Sequence, residues 1–140
     1  MRNERKLLHE IRMLRDRYGS HNIVAPASLE WVKLVGFPLP AHRYAIAAAT
    51  ILVKIPDGYD ATSVDECFVD RDLALLDNRG REIPLRNLHK WDNGQYADDG
   101  YFWLCFHSQR GRTDLIGFVH TLRAYFTDPL KYMAAQREDD

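Results

Sequence analysis

The order of apolar patterns along the chain predicts an α+β fold: a helix, an antiparallel β-meander, a long polar connection and a second helix. Three observations carry this. Apolar residues recur at helical spacing near both ends of the chain. Between them lie short runs rich in β-branched residues, separated by Pro/Gly/Asp turns. Strand-like and helix-like segments are segregated rather than alternating, which argues against a parallel sheet built from βαβ units.

In the first segment Leu7, Leu8, Ile11, Leu14 and Tyr18 form one stripe, and Gly19 is a natural stop. The remaining faces carry Arg2, Arg5, Lys6, Arg12, Arg15 and Arg17 against Glu4, Glu10 and Asp16. Leu29 to Phe37 reads as a strand and ends at Pro38-Leu39-Pro40. Ala45 to Ile55 is a second, with Ile51, Val53 and Ile55 alternating. Pro56-Asp57-Gly58-Tyr59 is a turn. Val64 to Val69 is a third short strand. Asp77 to Gly100 is a long connection whose Ile83, Leu85, Leu88 and Trp91 should pack onto the body. Thr113-Asp114 supplies an N-cap for a helix with the stripe Leu115, Phe118, Val119, Leu122, Tyr125 and Phe126, which Asp128-Pro129 stops. Leu130 to Gln136 suits a further short helix before the acidic end.

The 140 residues suit one domain over 1–140, large enough to bury a core without cross-links. Apolar residues are 46% and charged residues 28%, which excludes a disordered chain. A formal net charge of −1 argues against a dedicated nucleic-acid domain. The charged N-terminus lacks the apolar stretch of a signal peptide. The most apolar run, Tyr44 to Ile55, is too short for a membrane span, which needs about 20 residues. A reducing cytoplasm is the expected setting.

Two cysteines, Cys67 and Cys105, exclude a disulfide framework and a four-cysteine zinc site. No two of the six histidines have helix-ligand spacing, and no glycine-rich phosphate loop is present, so neither a metal nor a cofactor is expected. Each cysteine is then either a small buried hydrophobe or a reactive thiolate. By pattern alone Cys105, among Trp103, Leu104 and Phe106, reads as a core cysteine. Cys67, between Glu66 and Phe68, reads as strand filling.

The element order resembles the ubiquitin-conjugating enzyme fold, and local matches extend from Arg2 to Pro129. Phe37-Pro38-Leu39-Pro40 followed by Ile51-Leu52-Val53-Lys54-Ile55-Pro56-Asp57-Gly58-Tyr59 resembles the strand-and-turn region of prokaryotic members found in bacterial ubiquitin-like systems. Asp65-Glu66-Cys67-Phe68-Val69-Asp70 is similar to their next strand. Gly100-Tyr101-Phe102-Trp103-Leu104-Cys105 resembles the run that ends at the active-site cysteine. Thr113-Asp114-Leu115 through Leu122, then Thr127-Asp128-Pro129, resembles the following helix and its stop. The chain departs from eukaryotic members in lacking His-Pro-Asn before the cysteine; Asp92 to Asp99 stands there instead.

The resemblance implies an enzyme in which Cys105 carries the C-terminal acyl group of a ubiquitin-like protein as a thioester. An activating enzyme delivers it, and an amine on a target protein receives it. That chemistry needs a thiolate, a neutral amine and help for the oxyanion. His107 is a candidate to take a proton, although alternate strand residues lie about 6–7 Å apart and a turn would have to close the gap. Asp98 and Asp99 could orient an amine, but a solvated turn explains them better. In this family the first helix docks on the activating enzyme, which makes Arg5, Lys6 and Arg12 partner-binding candidates. The family context also implies companion deubiquitinase-like peptidases and a role in antiphage defence. Two rival readings are an inactive scaffold of the same fold that binds ubiquitin-like proteins, and a cysteine hydrolase pairing Cys105 with His120 or His89.

Overall fold

A computed structural model of the chain describes residues 1–85, 88, 96–105 and 114–130. Its elements are α1 (Glu4–Tyr18), β1 (Ile23–Val24), β2 (Trp31–Pro38), β3 (Ala48–Lys54), β4 (Cys67–Asp70), β5 (Leu75–Leu76), β6 (Glu82–Ile83), β7 (Tyr101–Leu104) and α2 (Leu115–Thr127). Strands β1, β2, β3, β4 and β7 form one sheet in that order, and every neighbouring pair is antiparallel. This is the α+β meander expected from the pattern, extended at one side by β7.

Alternation along the strands gives the sheet two different faces. Val32 and Leu34 of β2, Ile51 and Val53 of β3, Cys67 and Val69 of β4 and Leu104 of β7 point into the core. There they meet Leu7, Ile11 and Leu14 of α1 and Leu115, Phe118, Val119, Leu122, Tyr125 and Phe126 of α2. A bulge in β2 keeps the pattern inward past its centre. The register slips between Leu34 and Phe37, and Gly36 takes a left-handed φ of 66°, so Phe37 also reaches the core.

The helix caps follow the sequence. Asn3 Oδ1 accepts from the Lys6 amide at 3.2 Å, and α1 ends at Gly19 with φ 100°. Asp114 Oδ1 accepts from the Gly117 amide at 2.8 Å, and α2 ends at Asp128. The chain turns helical again at Pro129 and Leu130. The rest of the short helix expected to Gln136 lies outside the described residues.

Two expectations for α1 need correction. Leu8, on the expected buried stripe, is 52% exposed. Glu10, on the expected charged face, is 3% exposed. Helical geometry explains both: Leu7, Glu10, Ile11 and Leu14 lie at i, i+3, i+4 and i+7, and Leu8 sits beside that line.

The described part of the long connection packs onto the body. It opens with the β5–β6 hairpin, whose Asp77 Oδ1 accepts from the amides of Arg79 and Arg81 at 2.8 and 2.9 Å. Leu85 and Leu88 are buried, and Leu88 bridges to Leu104. Trp91 lies outside the described residues.

Candidate active site

Gly100 has a left-handed φ of 89° and turns the chain out of the short 3-10 turn Ala97–Asp99 into β7. From there Phe102 and Leu104 face the core, while Tyr101 and Trp103 take the other side. Cys105 follows as the first residue after the strand and is partly exposed. Cys67 stands opposite Leu104 in the register, and its thiol donates to the Leu104 carbonyl at 3.8 Å. Cys67 is wholly buried, so the two thiols are unlike in access.

Their protonation follows from burial. Desolvation pushes the Cys67 thiol far up, helped by the nearby charges of Cys105 and Glu66. Desolvation also raises Cys105 above an ordinary thiol. At neutral pH both are protonated, so a nucleophilic Cys105 needs a base to take its proton. His107 lies outside the described residues. Asp98 and Asp99 are exposed in the turn before Gly100, as a solvated turn requires. His120 is exposed on α2 and lines a crevice with Met13 and Arg17 of α1. His89 also falls outside the described residues. Among the described residues no group of His, Cys, Asp and Glu is arranged to hold a metal ion.

The basic residues of α1 separate into two kinds. Arg5 and Arg12 are exposed, seven positions apart on one face. Lys6 is tied down instead. Its ammonium lies 3.3 Å from Asp60 Oδ2 and 3.6 Å from Asp114 Oδ2, and 6.0 Å from the centre of the Tyr59 ring. Desolvation opposes its charge, but the hydrogen bond to Asp60 and the charges of Asp114, Asp60 and Glu10 outweigh it and raise the Lys6 pKa.

Beneath Lys6 is a buried polar knot that sequence reading missed. Glu10 is the one buried charged side chain among the described residues. Tyr59 Oη donates to Glu10 Oε1 at 2.5 Å, Glu10 Oε2 accepts from the Ile116 amide at 3.1 Å, and Tyr59 Oη accepts from the Leu115 amide at 2.8 Å. These groups satisfy first-turn amides of α2 that have no intrahelical partner, and a carboxylate there also complements the helix dipole. Burial and the Glu10 carboxylate hold the Tyr59 phenol well above its usual range. The knot joins α1, the Pro56–Tyr59 turn and the start of α2, the helix that follows the cysteine. A helical wheel placing Glu10 on the Leu7–Leu14 line was the signal that could have revealed it.

Residues 7–98 match a family model described as Prokaryotic E2 family E. No curated protein and no solved structure matches the chain. The matched stretch runs from α1 through the sheet to the turn before β7 and ends upstream of Cys105. Among the described residues no helix is long and apolar enough to cross a membrane.

Proposed function

The chain belongs to prokaryotic E2 family E, a ubiquitin-conjugating-like family, and from that premise we propose that it carries an acyl group on Cys105 for a bacterial ubiquitin-like conjugation system. The Cys105 sulfur, its proton taken by His107, attacks the thioester that joins an activating enzyme to a ubiquitin-like protein. The new C–S bond forms as the activating enzyme's thiolate leaves. A target amine then attacks the same carbonyl; the C–N bond forms, the C–S bond breaks, the amine loses a proton and the Cys105 thiol returns. No cofactor takes part on this chain. We place the reaction in the cytoplasm and in antiphage defence, with residues 1–140 acting as one domain.

The observation that carries this reading is access: of the two cysteines, Cys105 is partly exposed at a strand end and Cys67 is sealed in the core. Arg5 and Arg12 are the exposed candidates for docking the activating enzyme. Lys6 serves chiefly to hold Asp60 and Asp114, because its ammonium is already engaged.

The test is intact-mass measurement after incubation with the cognate activating enzyme, ubiquitin-like protein and ATP. A reductant-sensitive adduct should form and vanish in Cys105→Ala. An adduct that survives Cys105→Ala but is lost in Cys67→Ala would overturn the assignment. Arg5→Glu combined with Arg12→Glu should slow loading about tenfold or more with an unchanged melting temperature, as reversal of charges at a docking surface does.

A second reading, a non-catalytic scaffold that binds ubiquitin-like proteins, draws on the raised Cys105 pKa and on a family match that stops before the cysteine. Tight partner binding with no adduct would select it.

A further inference from the structure

The face of the sheet turned away from the helices carries a cleft of about 380 Å3 lined by Trp31, Lys33, Leu52, Tyr96, Asp99 and Tyr101. Leu52 is buried beneath it, and the Tyr96 ring is braced edge-on against Phe68 at 4.8 Å. The cleft already holds a cation of its own. The Lys33 ammonium stands 5.6 Å from the centre of the Trp31 ring and 5.7 Å from that of Tyr101. Among the described residues no carboxylate lies within ion-pair distance of Lys33, so aromatic faces rather than an opposite charge draw it in.

We propose that this cleft is a docking site for an arginine side chain of a partner polypeptide, with Lys33 as the resident cation that the arginine displaces. Trp31 and Tyr101 present rings that already hold a cation, Tyr96 lines the cleft beside them, and Asp99 supplies a carboxylate at the wall. A planar guanidinium stacks on rings and pairs with a carboxylate through parallel N–H donors; a lysine ammonium is a more strongly hydrated point charge and does neither as well. Lys33 is therefore the weaker occupant, and it can swing into water without breaking an ion pair. Glu30 adds negative charge near Tyr96, whose phenol is raised chiefly by burial, while the nearby Glu66 is paired with Lys54 at 3.5 Å. This inference does not depend on Cys105 and goes beyond the acyl-carrier reading.

The experiment uses the full-length Cys105→Ala chain, so that thiol chemistry plays no part and its outcome is separate from that of the loading assay. N-acetyl-arginine methylamide is titrated while the indole N–H resonance of Trp31 is followed by NMR. A saturable shift is expected. Lys33→Met should strengthen binding about two- to fivefold by removing the internal competitor. Asp99→Asn, on an exposed turn, should weaken it about two- to fivefold at unchanged melting temperature. Absence of saturation, or an unchanged affinity in Lys33→Met, would overturn the proposal. Tighter binding of tetramethylammonium than of the arginine probe would overturn the arginine assignment in favour of a methylated ammonium, and binding of acetate in its place would overturn the cation chemistry.

Discussion

Cys67 and Cys105 show how position divides two chemically identical groups. Only the thiolate reacts with an alkylating agent, and both thiols have raised pKa values, so less thiolate is present at neutral pH than in a free cysteine. Iodoacetamide should therefore modify Cys105 in the native protein at a rate still climbing past pH 9. Cys67 should stay unmodified until denaturant is added. Peptide mapping after timed labelling distinguishes them, and native modification of Cys67 would contradict its burial. Glu10 is held in the core by the Tyr59 hydroxyl and the Ile116 amide. Glu10→Ala or Tyr59→Phe leaves buried partners unsatisfied, and each should cost about 1–3 kcal/mol in urea unfolding. Lys6→Ala, removing only partly exposed ion pairs, should cost under about 1 kcal/mol.

At the scale of elements, α2 depends on groups outside itself. Asp114→Ala removes the bond to the Gly117 amide and one of the carboxylates near Lys6, and should destabilise the protein by about 1 kcal/mol, read as a lower urea midpoint. Both helices were legible from buried residues at helical spacing and β2 from its inward Val32 and Leu34; β3 showed alternating β-branched Ile51 and Val53, while β4, buried at Cys67, Phe68 and Val69 alike, was legible only as a short apolar run after a turn. Their ends shifted by a few residues: the second strand was expected over Ala45 to Ile55 and spans Ala48–Lys54. The pairs β1, β5 and β6 are two residues each, too short to show a period. Tyr101-Phe102-Trp103-Leu104 showed no alternation because both of its faces are apolar. The hydrophobic stripe revealed where α1 is buried, but not that a carboxylate would be buried with it, because the groups that satisfy Glu10 are the Tyr59 hydroxyl and the Ile116 amide, 49 and 106 residues away.

At the scale of the molecule, several neutral groups lie in the core. Tyr44 donates to the Phe126 carbonyl at 2.7 Å, and burial raises the pKa of Tyr44, Tyr59, Tyr125 and Cys67. Below about pH 8 the folded and unfolded chains hold these protons alike, so the stabilisation is complete there. As pH rises through the ordinary thiol and phenol ranges, the unfolded chain releases protons that the folded chain keeps, and stability falls. The melting temperature should drop steadily between pH 8 and 10.5. Tyr44→Phe should melt lower at pH 7 yet show a shallower alkaline decline; an equal slope would mean that Tyr44 does not contribute.

The sheet also has an order in time. Strands β1 to β4 join neighbours along the chain, so their pairings can close as synthesis proceeds from the N-terminus. β7 instead returns to β4 across 37 residues, from Cys67 to Leu104. Those four strands thus leave the ribosome before β7, the Cys105 that follows it and α2. Cys105 is added at the edge of strands already made, and a chain truncated before β7 would leave the edge of β4 open to pair with another molecule.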